Sequence, residues 1–162
     1  MAQEEKFQFQ APDTAKLDRA LHALGFKYEF LSPEKVTGKL KVTETCCQPF
    51  NVLSGGVSAL LAEAMASLGA YIASGYKRVA GVQLAINHFR PTLLGELVEA
   101  EARPIQRGRS IQVWEVEIWK INPSTPEKKT LVSSSRVTLL CSQHAANDTK
   151  AYEQMVKKCA KL

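Results

Sequence analysis

The sequence predicts an α+β fold, an antiparallel sheet wrapped round one long central helix, on three observations. Residues 55–74 repeat apolar side chains at helical spacing and carry almost no charge on the opposite face. Two strand-like stretches precede that helix and four follow it. The gaps after the helix are short enough for hairpins and are marked by Gly and Pro. A helix apolar on every side needs cover all round, and strands with one apolar face supply it.

Taken in order, residues 13–24, DTAKLDRALHAL, read as one short amphipathic helix with Gly25 as its stop. Leu17, Ala20, Leu21 and Leu24 share its apolar side, and His22 points to solvent. Residues 26–31 and 35–42 read as strands parted by Ser32-Pro33-Glu34. The second alternates Val36, Gly38, Leu40 and Val42 with Lys35, Thr37, Lys39 and Lys41, giving one apolar and one wet face. In the central helix, Val57, Leu60, Leu61, Ala64, Met65 and Leu68 form one face. Ala59, Ala62, Ala66 and Ala70 lie opposite, where a surface helix would show charge, so burial on every side is expected. Gly75 marks the exit. Strands follow over 79–89, 96–103, 110–121 and 129–141, separated by Pro91, Gly95, Gly108 and the loop 122–126. A polar tail, helical around 152–158, closes the chain.

At 162 residues this is about one domain, with an N-terminal segment over 1–25, the main body over 26–142 and the tail over 143–162. The composition, 45% hydrophobic and 23% charged, is ordinary for a globular protein. The net charge of +5 is mild; it could serve nucleic acid but suits equally a phosphate-rich small ligand. No apolar run approaches the length of a membrane span, so no membrane is expected as partner, and a phosphate-rich small ligand is expected in place of nucleic acid. The opening MAQEEKFQFQ lacks the apolar core of a signal peptide. Cys46, Cys47, Cys141 and Cys159 show no metal-ligand spacing, and the adjacent pair suits no structural disulfide; all four read as reduced thiols.

The chemistry concentrates on the central helix. Glu63 is its one charged residue, with Ser67 one turn further along the same edge. No Lys or Arg occurs between Lys41 and Lys77, so no local cation offsets its burial, and a working carboxylate is the better reading. At the helix start Ser54 is a candidate N-cap, and Gly55 and Gly56 let a ligand approach the backbone closely. The first-turn N–H groups and the positive end of the helix dipole favour a polarised carbonyl oxygen. Donors for a carbonyl and a carboxylate for the attack together suggest acyl chemistry. Gly55 and Glu63 stand eight residues apart, which is about 12 Å along a helix. One helix cannot bring both to the same carbonyl, whereas two helices antiparallel across a two-fold axis can. At least a homodimer is therefore expected.

Gln48-Pro49 followed by N-V-L-S-G-G-V-x-x-x-L-x-E-x-x-x-S over residues 51–67 resembles the hotdog-fold acyl-CoA thioesterases, in the branch acting on aromatic acyl-CoA esters. Ser54 stands where many relatives carry His before the two glycines. The resemblance runs from about residue 26 to 141 and is strongest to the plant 1,4-dihydroxy-2-naphthoyl-CoA thioesterases. It implies a hotdog fold and hydrolysis of an aromatic acyl-CoA to the free acid and CoA, on the route to phylloquinone. It implies no metal or redox cofactor, and a homodimer or dimer of dimers, a homotetramer. By the same resemblance Glu63 is the nucleophile or general base, the Gly55 amide polarises the thioester carbonyl, Gln48 lies near that carbonyl, and Ser67 helps place the water or the carboxylate. Gly108-Arg109-Ser110 resembles the strand start that contacts the CoA nucleotide, and Ser54, Gly56, His88 and Arg90 complete the expected substrate-binding set.

The final Ala160-Lys161-Leu162 resembles the S-K-L class of peroxisomal address, read by an import receptor, with Lys157 and Lys158 just upstream fitting an exposed tail. Two other functions stay open at this level: a broader acyl-CoA thioesterase, and a non-enzymatic acyl-CoA-binding protein in which Glu63 is structural. A dehydratase on this fold would need a catalytic His with an acid on the central stretch, and none is present.

Overall fold

The computed structural model describes residues 10–142 and 149–162. The signal-peptide reading of the first residues, and the point where the polar tail begins, fall largely outside them.

The expected N-terminal helix is two, α1 (Thr14–Leu17) and α2 (Arg19–Ala23). Asp18 is extended between them (φ −154°) and its side chain caps α2 by accepting from the Leu21 amide at 2.9 Å, as Asp13 caps α1. Capping by a short acid competes with helix continuation at that residue. Leu17 and Leu21 are buried and His22 is exposed.

Strands β1 (Lys27–Leu31) and β2 (Val36–Lys41) pair antiparallel, and Ser32 closes their turn by hydrogen bonds to the Glu34 and Lys35 amides. Two short strands, β3 (Cys47–Gln48) and β4 (Val52–Leu53), form a hairpin before α3 (Gly55–Ala73). Gly75, at φ +74°, ends the helix as expected. Four long strands follow: β5 (Arg78–His88), β6 (Leu97–Arg107), β7 (Ile111–Asn122) and β8 (Thr125–Ser142). The six-stranded sheet runs β1-β2-β6-β7-β8-β5, antiparallel throughout, with β1 and β5 at its edges. Two strands outrun their expected limits. β6 continues past Pro104 because the register shifts between Pro104 and Gln106, which absorbs the missing N–H. The β7–β8 connection closes tightly at Asn122 opposite Thr125, so the loop expected over 122–126 is mostly strand. The chain ends in α4 (Lys150–Cys159), whose Val156 and Cys159 are buried.

The sheet curls round α3. Ser58, Leu61, Ala62, Met65, Ala66, Gly69 and Ala70 are buried against it. At Gly69 the Trp114 ring lies so close that a Cβ would stand 2.5 Å from it, so only glycine lets the indole seat on the helix. The indole N–H donates to Gln112 Oε1 at 2.9 Å, and Gln112 Nε2 donates to the Ala70 carbonyl at 3.4 Å. Two expectations need correction. Burial of α3 is not complete in the single chain: Leu60, Glu63, Ser67 and Tyr71 form a half-buried stripe, and Gly55 and Gly56 are exposed. At 19 residues α3 is also long and apolar enough to cross a membrane, contrary to the sequence reading; in this fold the sheet takes up that apolar surface. All four cysteines are free thiols, with Cys47 half-buried and the others buried.

Candidate active site

Glu63 projects from the half-buried stripe of α3 into a cavity of about 610 Å³. Ala64, Ser67, Leu68 and Tyr71 of the same helix line it, with Arg78 and Val79 at the start of β5 and Asp18, Thr149 and Tyr152 closing the far side. Ser67 Oγ donates to Glu63 Oε1 at 3.1 Å, the bond that i,i+4 spacing on one helix edge allows. The same oxygen lies against the β5 backbone: a Cβ on Gly81 would stand 2.8 Å from Oε1. The carboxylate is thus held by a hydroxyl and against a strand. The aromatic side of the cavity stays neutral around pH 7. Burial first, then Tyr71 and Asp18, push the Tyr152 phenol up to about 12, and burial followed by the charge of Glu153 raises that of Tyr71.

The helix start lies in a second cavity of about 420 Å³, lined by Gly55 and Ser58 of α3, Gln48, Leu53, the run 88–92 and Val132. Ser54 occupies the N-cap position with extended backbone, but its hydroxyl makes no cap bond to the first-turn amides. Ser54 and Gly56 flank Gly55 without lining this cavity. The Gln48 side chain is positioned by the β3–β4 turn, its Oε1 accepting from the Phe50 amide at 2.7 Å; its amide N–H₂ is the group left for a ligand. His88 is exposed at the end of β5, and its Nε2 would lie 3.1 Å from a Cβ on Gly55. An imidazole therefore does sit at the helix start, delivered by β5 rather than by the residue before the glycines. Arg90 lines the same cavity and donates to the Leu131 carbonyl at 3.3 Å. Thr92 Oγ1 is buried there without a hydrogen-bond partner.

The structure therefore sorts the expected residues into two groups. Glu63 and Ser67 meet in one cavity; Gln48, Gly55, His88 and Arg90 meet in the other, and the two cavities share no lining residue. Arg109 and Ser110 are exposed in the β6–β7 turn and line neither. In the tail, Ala160 is buried and the Lys161 amide donates to the Leu31 carbonyl at 2.8 Å, so only the last residue, Leu162, projects freely, at 86% exposure. The tail is less open than its sequence suggests, because α4 carries it onto the β1 edge. Sequence reasoning missed Gly81, Tyr71, Asp18 and Tyr152. The close approach at Gly81 and the meeting of Asp18 with Tyr152 come from distant parts of the chain and leave no local pattern.

Comparison with known proteins agrees with the fold. A family model described as the thioesterase superfamily matches residues 50–127. The chain is 53% identical, over 90% of its length and 94% of the relative's, to 1,4-dihydroxy-2-naphthoyl-CoA thioesterase 2 of Arabidopsis thaliana. It is 37% identical to the 1,4-dihydroxy-2-naphthoyl-CoA hydrolase of Listeria monocytogenes, over 72% of this chain and 89% of that one. Among solved structures, a thioesterase from Haemophilus influenzae superposes with a TM-score of 0.70 at 32% identity, covering 85% of this chain and 96% of its own. With a hotdog sheet round its helix and relatives of this identity over nearly their whole length, the chain belongs to the hotdog thioesterase superfamily.

Proposed function

We propose that this chain hydrolyses an aromatic acyl-CoA thioester, 1,4-dihydroxy-2-naphthoyl-CoA, to the free acid and CoA, the reaction that leads toward phylloquinone. The observation that carries the reading is the 53% identity to the Arabidopsis thioesterase across 94% of that protein. The half-buried Glu63 carboxylate, held by Ser67 and open to a cavity, supplies the chemistry that such a reaction needs. Either it adds to the carbonyl carbon, expelling CoA thiolate and leaving an anhydride that water hydrolyses, or it takes the proton of a water that adds there. Both routes break the C–S bond and consume one water. The Gly55 amide and the positive end of α3 stabilise the oxyanion that forms, and Gln48 donates beside them. Arg90, and beyond the cavity Arg109 and Ser110, hold the CoA phosphates by charge and hydrogen bonds.

The working unit is a homodimer, or a homotetramer built as a dimer of dimers. Separation of Glu63 from Gly55 into two cavities supports this, since each needs the other group from elsewhere. The exposed edge of β5, with Val82 at 61% exposure, and the exposed Phe50 and Phe89 are surfaces that a second copy would cover.

Release of free thiol from a panel of acyl-CoA esters, followed with a thiol reagent, tests the activity. Aromatic esters, the dihydroxynaphthoyl ester first, should turn over fastest. Fatty acyl esters cleaved equally well would point to a broad thioesterase, and binding without thiol release would make the chain a carrier.

The tail Ala160-Lys161-Leu162 supports a peroxisomal location for the protein, delivered by an import receptor. Deleting Leu162 should leave a fluorescent fusion in the cytosol while thiol release in vitro is unchanged; punctate signal from the truncated fusion would remove this assignment.

A further inference from the structure

The cavity in front of Glu63 is not built by the central helix alone. A carboxylate that attacks a thioester, directly or through water, has to stand within about 3 Å of the carbonyl or of that water. The acyl group beyond the carbonyl must then lie in the space adjoining Glu63, and that space is the 610 Å³ cavity, of the size that holds small organic ligands. On the α3 side its lining is partly small, Ala64 and Ser67, which leaves room. Facing that room are two tyrosines from opposite ends of the chain: Tyr71 of α3 and Tyr152 of α4, with ring centroids 5.7 Å apart and planes tilted by 45°. A third ring, Tyr76, packs edge-on against Tyr71 at 5.3 Å.

Tyr152 is fixed rather than loose. Its hydroxyl donates to the Leu17 carbonyl at 3.1 Å, so the polar end is turned away into the N-terminal segment and the ring is what remains for the cavity. The helix that carries it is anchored below by buried Val156 and Cys159, and at its end by the bond from Lys161 to Leu31. A side chain held this way on a helix makes a preorganised wall. That helix lies outside residues 50–127, the stretch that the family model matches.

We infer that Tyr152, with Tyr71, is the aromatic wall against which the acyl ring of the substrate packs, so that the C-terminal helix of this chain sets its preference for aromatic over aliphatic acyl groups. The inference rests on the acyl-CoA reading given above. Ring-on-ring contact in offset or edge geometry favours a planar aromatic group beyond what its area alone would give, whereas an alkyl chain gains only the area.

The test uses the full chain and compares kcat/KM for an aromatic ester, 1-hydroxy-2-naphthoyl-CoA, with that for hexanoyl-CoA. Tyr152→Ala should lower the aromatic-to-aliphatic ratio of kcat/KM about tenfold, mainly by raising KM for the aromatic ester. Tyr152→Phe, which keeps the ring and loses the hydroxyl, should keep the wild-type ratio. A wall residue of merely structural importance would depress both substrates together and leave the ratio alone, and that result overturns the inference. If circular dichroism shows Tyr152→Ala unfolded, Tyr152→Leu, which fills the site without a π face, decides on the same ratio. Equilibrium binding of 1-hydroxy-2-naphthoate, followed by its fluorescence, needs no turnover and separates the two readings. Tyr152-dependent binding in a protein that releases no thiol refutes the hydrolase and leaves the wall standing. Turnover with equal naphthoate binding by wild type and Tyr152→Ala refutes the wall alone.

Discussion

Glu63→Gln is expected to lower turnover by at least about a hundredfold while the protein stays folded. The amide keeps the shape of the carboxylate, and its carbonyl oxygen can still accept from Ser67 Oγ, which now donates at 3.1 Å. What it loses is the basic and nucleophilic oxygen. Because the residue lies on the half-buried stripe of α3, exchanging a charge for a neutral amide leaves the packing of Leu61, Met65 and Ala66 untouched. Steady-state thiol release and thermal unfolding, measured on the same preparation, check both halves. A Gln variant that keeps most of its turnover would show that Glu63 is structural.

The second large effect is a recovery. Glu63→Ala and Gly55→Pro should each be inactive, the first without the carboxylate, the second without the amide hydrogen. Proline is tolerated at the first position of a helix, and at Gly55 its bulk asks only that the exposed His88 ring give way, since a Cβ there stands 3.1 Å from Nε2. Unfolded together and refolded as a mixture, the two variants pair at random, and half the dimers are mixed. Each mixed dimer holds one site with Glu63 from one protomer and Gly55 from its partner, so about a quarter of wild-type activity should return (1/2 × 1/2). The separate cavities around the two residues are what make this outcome expected. Properly folded, demonstrably mixed dimers that stay inactive would place both groups of a site in one chain.

The parts of the site legible from sequence are those whose signal is local. A lone acid on an uncharged helix, a hydroxyl four residues later and two glycines at the helix start are patterns within one turn or two, and each occupies the place on α3 that its spacing implies. The strands after α3 were legible from the Gly and Pro residues between them and, in β6, from the alternation of Val98, Ala100 and Ala102 with charged neighbours. Less legible were features decided by competition. The helical period runs unbroken through Asp18, yet its carboxylate caps the next turn and splits the helix. The strand expected to end at residue 103 runs on past Pro104, because a bulge there absorbs the missing N–H. Gly81 and Tyr152 were not legible at all, because what matters about each is the partner that the fold brings to it: a carboxylate from α3 for one, a cavity wall shared with Tyr71 for the other.

The last residues of the chain are spoken for twice. Ala160 is buried beside Leu31 in a parallel bridge, and the next amide donates to that strand, so the terminal tripeptide is folded structure as well as free end. The import receptor of the peroxisomal reading proposed above, if it grips an extended C-terminus, would bind only molecules whose tail has let go of β1. Its apparent affinity is the intrinsic one divided by the fraction released, a handicap set by the hydrogen bond and by the apolar contacts of Ala160 and Cys159. On the peroxisomal reading proposed above, delivery would be graded by how firmly the sheet edge holds the tail, and substitutions at Leu31 or Cys159 would change location without altering the terminal tripeptide.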